Sequence, residues 1–151
     1  MALINELTHK KQKPSKCLYL APMKSLCREK YNEWRQKFKE KAHLYELTGD
    51  TEEEQTDSFQ KANIIIATPE KLDSLSRNHL NILKNIDLLL IDEIHMLNIE
   101  ERGATLEAIV SRLMSIQLEN MRILAVSATN SNIGEVAQWL RVPKNGVFVF
   151  G

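Results

Sequence analysis

Asp92, Glu93 and His95 stand directly after the apolar run Ile86-Asp87-Leu88-Leu89-Leu90-Ile91. Two adjacent carboxylates can divide the work of phosphoryl transfer. One holds a Mg²⁺ ion through its water shell, and the other orients or deprotonates an attacking water. The run before them is short, rich in Leu and Ile and bounded by polar residues, which suits a strand buried on both faces of a parallel sheet. Ligands bind outside the carboxyl ends of such strands. The same residues also fit a strand running into an acidic turn, with His95 as a partly buried polar side chain. Four residues alone do not separate the two readings.

The rest of the chain alternates short apolar runs with amphipathic stretches. Cys17 to Ala21 reads as a strand, and Met23 to about Lys39 as a helix with Leu26, Tyr31, Trp34 and Phe38 near one face. Leu44 to Leu47 is a second strand, and Thr51 to Gln60 reads as a short polar helix. Asn63 to Ala67 is a third strand, followed by a helix with Thr68 as N-cap and Pro69 in its first turn. Ile86 to Ile91 is the fourth strand, Gly103 to Gln117 a helix striped by Leu106, Ile109, Val110, Leu113 and Met114, and Arg122 to Val126 the fifth strand. A helix near Ile133 to Leu140 follows, and Val142 to Gly151 reads as a turn and one more short strand. Strict alternation argues for an α/β domain with a parallel sheet wrapped by helices. A polar cluster follows each of the first five strands, so all five clusters fall on one edge of that sheet.

Composition bounds the function without choosing it. The 151 residues are 43% hydrophobic and 26% charged, an ordinary globular balance. Domains cluster near ~100–150 residues, so the chain is one domain or part of one. No apolar run approaches the ~18 residues that cross a bilayer, and Met1 to Leu7 lacks a signal-peptide pattern, which reads as an intracellular protein without a membrane partner. Cys17 and Cys27 offer neither a disulfide framework nor metal-ligand spacing and read as reduced packing residues. The net charge is zero, yet Lys10 to Lys41 holds eleven Lys or Arg against three Glu, while every charge from Glu46 to Asp57 is acidic. The basic segment fits a phosphate-binding face or a solvated helix surface. Trp34 and Trp139 fall on apolar helix faces and read as core.

Taken in order, the clusters resemble a known family. Ala21-Pro22-Met23-Lys24-Ser25-Leu26, Thr48-Gly49-Asp50, Ala67-Thr68-Pro69-Glu70-Lys71-Leu72-Asp73, Asp92-Glu93-Ile94-His95 and Ser127-Ala128-Thr129 resemble the motifs Ia to III of a superfamily-2 helicase. The pair of Asp-Glu-Ile-His with Arg102-Gly103-Ala104-Thr105-Leu106-Glu107 is similar to the Ski-like branch of DEAD/DEAH-box enzymes. Ala125 to Thr129 and Trp139 to Pro143 look closest to its meiotic crossover DNA helicases. The resemblance implies an α/β, parallel-sheet RecA-like (P-loop NTPase) domain 1 of a helicase. The implied cofactors are ATP and Mg²⁺, the partner single-stranded or branched DNA with RNA possible, and the location nuclear. Asp92 is then the Mg²⁺ residue, through water, and Glu93 the residue that positions the attacking water. His95 links the nucleotide to Ser127 and Thr129, which couple hydrolysis to movement. Thr68 and Pro69, at a helix amino end, bind a strand phosphate with Pro22, Lys24, Thr48 and Gly49. Three residues keep a plainer reading beside this one: Lys24 as a solvated helix lysine, and Ser127 with Thr129 as a cap before Asn132.

The same resemblance exposes an absence. Such helicases carry a Gly-rich loop ending in Gly-Lys-Thr or Gly-Lys-Ser, whose amides and lysine cradle the phosphates. The five glycines here are at 49, 103, 134, 146 and 151, and none precedes a Lys-Thr or Lys-Ser pair. Met1 to Lys11 resembles later turns of the helix after that loop. The expectation is therefore a partial first lobe, 1–151, lacking the phosphate-loop strand and the second RecA-like domain. It should leave an interior strand edge unpaired and be inactive alone. Three functions stay open: part of a 3′-to-5′ DNA helicase of meiotic type, part of a spliceosomal-type RNA helicase, and a catalytically incomplete binding or regulatory module.

Overall fold

A computed structural model describes residues 16–50, 56–117, 121–129 and 132–149. Five four-residue strands form it, β1 (Cys17–Leu20), β2 (Leu44–Leu47), β3 (Ile64–Ala67), β4 (Leu88–Ile91) and β5 (Arg122–Ala125). Between and after them run α1 (Lys24–Phe38), α2 (Thr56–Lys61), α3 (Pro69–Asn78), α4 (Glu100–Gln117) and α5 (Ile133–Trp139). All strand pairs are parallel, in the order β2-β3-β1-β4-β5. Leu20 is level with both Ala67 and Ile91, Leu47 with Ala67, and Ala125 with Ile91, so the carboxyl ends are flush. Backbone bonds from Ala21, Thr68, Asp92 and Val126 extend the ladders one residue further. The polar clusters start where the ladder stops.

Alternation along the strands divides the core in two. Leu18, Leu20, Ile65, Leu89 and Ile91 face Leu72 of α3 and Leu106, Ile109, Val110 and Leu113 of α4. Cys17, Tyr19, Ile64, Ile66 and Leu88 face Cys27, Trp34 and Phe38 of α1. Trp34 is buried and Trp139 packs against the first cluster, both as core residues. Cys17 and Cys27 are buried free thiols, and burial pushes Cys27 up to about 12, so it is an inert packing group.

Two sequence expectations need correction, the start of α4 and the tail strand, while Thr68 stands at the cap position as expected. Thr68 occupies the N-cap position of α3, but its side chain makes no cap hydrogen bond. Pro69 at the first helical position has no N–H to satisfy, which lowers the demand on that cap. α4 begins at Glu100 rather than Gly103, with Glu100 and Glu101 favouring the positive end of the helix dipole. Val142–Val149 contributes a 3-10 turn at Lys144–Gly146 and no strand among the described residues, although Val147, Phe148 and Val149 line the same cavity as Leu124 and Ala125 of β5. The five described strands pair side by side and leave β2 and β5 as the edges of the sheet, and β5 is half or fully exposed where β1 and β3 are wholly buried. Met1 to Lys11 lies outside the described residues.

Candidate functional site

Asp92 is the first residue past β4. Its amide donates to the Leu20 carbonyl at 2.9 Å, and its carboxylate accepts from the Glu93 amide at 3.0 Å through Oδ1 and from the Tyr19 hydroxyl through Oδ2. Tyr19, on the neighbouring strand β1, is 5% exposed. Burial, and then the Asp92 hydrogen bond and charge, raise its phenol well above the ordinary value, so it stays a protonated donor.

Glu93 takes the left-handed conformation, φ 53° and ψ 45°. For a non-glycine residue this costs on the order of 1–2 kcal/mol, and strain of that kind persists where the surroundings enforce it. Here it swings the chain from β4 into the 3-10 turn Ile94–Asn98, and the Ile94 amide bonds the Val126 carbonyl beyond β5 at 2.9 Å. Glu93 Oε2 lies 3.2 Å from His95 Nδ1. That approach is a close contact without hydrogen-bond geometry, which leaves Oε2 a buried acceptor with no hydrogen bond.

His95 Nδ1 is also 3.5 Å from Ser127 Oγ, at the limit of a hydrogen bond. Ser127 Oγ in turn donates to the Thr129 carbonyl at 2.8 Å and accepts from the Thr129 amide at 3.3 Å. Glu93, His95, Ser127 and Thr129 thus form one continuous chain of contacts. Asn132, in the left-handed region, holds the cap position of α5, so neither Ser127 nor Thr129 is its N-cap.

The remaining expected residues occupy the same sheet edge. Lys24 reaches over Gly49 to Asp50, with Nζ 2.7 Å from Asp50 Oδ1, and a Cβ on Gly49 would meet Lys24 Cε at 2.9 Å. Lys24 holds the Asp50 carboxyl below the usual carboxylate range. Thr48, Thr68 and Pro69 are buried, and Pro22 is half-buried. Pro22, Pro69 and Glu70 line one narrow crevice with Asp92, Met96 and Arg102, so the strand-side and carboxylate-side motifs meet there. His95, Ser127 and Thr129 instead face a cavity of about 300 Å³ with Leu124, Val136 and Phe148. The basic segment, where described, is a solvated helix face with Lys24–Asp50, Arg28–Glu46 and Lys30–Glu33 ion pairs.

Sequence reasoning missed two features. One is Tyr19, whose signal was a lone hydroxyl in an otherwise apolar strand. The other is Asp73, 6% exposed, which accepts from Arg77 at 2.7 and 2.9 Å and from Arg112 of α4 at 2.7 Å. Burial alone would raise the Asp73 carboxyl, but the two guanidinium groups hold it below the ordinary range. Arg112 also donates to Ser76 at 2.6 Å, so the cluster pins α3 to α4. The Asp73–Arg77 spacing of four was readable, whereas Arg112 arrives from 39 residues away.

Among the described residues no three His, Cys, Asp or Glu side chains converge as a closed metal cage. Mg²⁺ held through water by one carboxylate and by substrate phosphates needs no such cage. The half-buried Asp92 carboxylate, with the unbonded Glu93 Oε2 nearby, fits that mode. No Gly-Lys-Thr or Gly-Lys-Ser sequence stands among the 151 residues.

A parallel α/β sheet that gathers carboxylates, hydroxyls and a helix amino end along its carboxyl edge defines the class of nucleotide-dependent phosphate-binding domains. Within that class the chain belongs to the DEAD/DEAH box helicase family, whose sequence pattern matches residues 1–136. It is 46% identical over 151 residues to the ATP-dependent DNA helicase homolog MER3 of Arabidopsis thaliana, covering 90% of this chain and 13% of that one. It is 40% identical over 143 residues to activating signal cointegrator 1 complex subunit 3 of Homo sapiens, covering 90% of this chain and 6% of that one. The chain therefore spans a small part of the length of the curated relatives it matches. The fold is that of a RecA-like helicase domain. The DEAD-box helicase Mss116, solved bound to ssRNA and UDP-BeF, superposes with a TM-score of 0.75 at 24% identity over 92% of this chain and 30% of its own.

Proposed function

We propose that these residues form motifs Ia to III of the first RecA-like lobe of an ATP-dependent DNA helicase, with the phosphate loop and second lobe supplied from outside them. The observation that carries this reading is the unbroken path from Glu93 through His95 to Ser127 and Thr129. Asp92, anchored by Tyr19 and the Glu93 amide, is oriented to hold Mg²⁺ through water. Bound there, Mg²⁺ supplies the positive charge that offsets the phosphate oxygens. Glu93 Oε2, with no hydrogen bond to give up, orients the attacking water. His95 senses the occupancy of Glu93 and passes it to the Ser127–Thr129 loop. Pro22, Lys24, Thr48, Gly49, Thr68 and Pro69 track a nucleic-acid backbone, and the α3 amino end supplies amides to a phosphate.

The likeness to the plant ATP-dependent DNA helicase homolog MER3 supports DNA as substrate, and the motif resemblance extends the reading to single-stranded or branched DNA, 3′-to-5′ travel, a role in meiotic recombination and nuclear location. ATP hydrolysis by the full-length natural protein should be stimulated more by single-stranded DNA than by RNA of the same length. Glu93→Gln should lower the stimulated rate by at least ~100-fold. Hydrolysis that survives Glu93→Gln refutes the assignment of Glu93, and stronger stimulation by RNA refutes the DNA reading. Because the phosphate cradle is missing from the 151 residues, they alone should not bind a fluorescent ATP analogue saturably. Saturable binding lost in Asp92→Ala would favour a self-sufficient nucleotide-binding module.

A further inference from the structure

The Tyr19 ring is fixed before its hydroxyl does anything. It packs edge-on against Trp34 of α1, with centroids 5.1 Å apart at 71°, and both rings are nearly excluded from water. Tyr19 is level with Leu90 in the β1–β4 ladder, so its side chain shares a sheet face with Leu88 and Leu90 and extends past the end of β4. The partner there is Asp92 Oδ2, while Oδ1 takes the Glu93 amide. Each oxygen thus carries one donor, one from backbone and one from a ring locked by packing. A carboxylate accepts about four hydrogen bonds, so acceptor positions remain for metal-bound water.

We propose that Tyr19 is a positioning residue for Asp92, holding its carboxylate in the one rotamer that meets a magnesium-bound water. The proposal rests on the reading of Asp92 as the metal carboxylate. A carboxylate fixed in advance loses little freedom when the ion arrives, whereas a free one must be ordered at that moment. A phenylalanine would fill the same space against Trp34 without a buried hydroxyl to satisfy, so packing alone does not call for tyrosine.

The test compares Tyr19→Phe, Asp92→Asn and wild type in the full-length natural protein, titrating Mg²⁺ against binding of a fluorescent ATP analogue, with an EDTA series and thermal unfolding alongside. Tyr19→Phe should raise the Mg²⁺ half-saturation about tenfold, the low end for a group that orients a metal ligand. Nucleotide affinity in EDTA and the unfolding temperature should stay unchanged. If Asp92→Asn raises the half-saturation while Tyr19→Phe matches wild type, the positioning role is refuted and the metal reading stands. If Asp92→Asn changes nothing, or wild-type binding ignores Mg²⁺, the metal reading fails and the proposal with it. A Tyr19→Phe protein that loses EDTA affinity and thermal stability in step with its Mg²⁺ response would show a structural role only, and that also refutes the proposal.

Discussion

Gly103 sits in the first turn of α4, where a Cβ would lie 2.1 Å from the Leu97 carbonyl oxygen and 2.7 Å from its carbon. Comfortable contact is roughly 3.5 Å, so Gly103→Ala demands a backbone displacement of more than an ångström. α4 cannot readily supply it, because Leu106, Ile109, Val110 and Leu113 are locked in the core. The 3-10 turn carrying Leu97 must move, and His95 lies two residues back on the same turn. Overpacking of this kind costs ~1–3 kcal/mol, with a clash against backbone at the upper end, and the better helix propensity of alanine returns about 0.5–1 kcal/mol. The expected net loss is about 2 kcal/mol, or roughly 4–8 °C in Tm for a domain of this size. Gly134 in α5 is the internal control. Nothing lies within 4 Å of its Cβ, so Gly134→Ala should stabilise by roughly 0.5–1 kcal/mol. Denaturant unfolding of the two variants should therefore give opposite signs. If both shift the same way, or Gly103→Ala changes stability by less than ~0.5 kcal/mol, the close approach of α4 to the Ile94–Asn98 turn is wrong.

Asp73 should make stability depend on acid pH. Its folded pKa is depressed, so its contribution is complete above the unfolded value near 3.8 and is lost as pH falls through the lower folded value. Asp73→Ala should cost about 2–3 kcal/mol at neutral pH and flatten the stability curve below about pH 4, as equilibrium unfolding at several pH values would show; an unchanged acid limb would refute it. The β5 edge should promote self-association, since Leu124 and Val126 are 39% and 55% exposed on a strand unpaired on one side among the described residues. Leu124→Lys should raise the monomer fraction of the 151-residue chain in light scattering, and an unaltered fraction would show that this edge is not sticky.

The strand order was not legible in the sequence, but the edge that gathers the polar clusters was. Buried strands such as Ile64–Ala67 and Leu88–Ile91 read as apolar runs, and a parallel sheet obliges the polar residues after each to share one edge. Contacts that cross the chain were invisible. Tyr19 meets Asp92 across 73 residues and Arg112 meets Asp73 across 39, and neither pairing leaves a periodic trace. Val147-Phe148-Val149 misled for a different reason. Its residues favour extended structure, but propensity alone does not make the ladder of backbone bonds that defines a strand. The left-handed Glu93 was equally hidden, because a glutamate carries no local preference for positive φ and is held there by its neighbours.

Those neighbours explain how the site combines rigidity with a capacity to move. The Ile94–Val126 backbone bond, at 2.9 Å, ties the Ile94–Asn98 turn to the end of β5. The side-chain path beside it is loose, with Glu93 Oε2 unbonded and His95 Nδ1 3.5 Å from Ser127 Oγ. Catalytic hydrogen bonds are often long before substrate arrives and tighten in the complex. A water drawn to Glu93 would compete with His95 for Oε2, and the imidazole would then settle on one of two partners it now approaches together. Under the proposed reading the backbone bond would keep the two loops in register during that exchange, and the response would pass to Thr129 through Ser127.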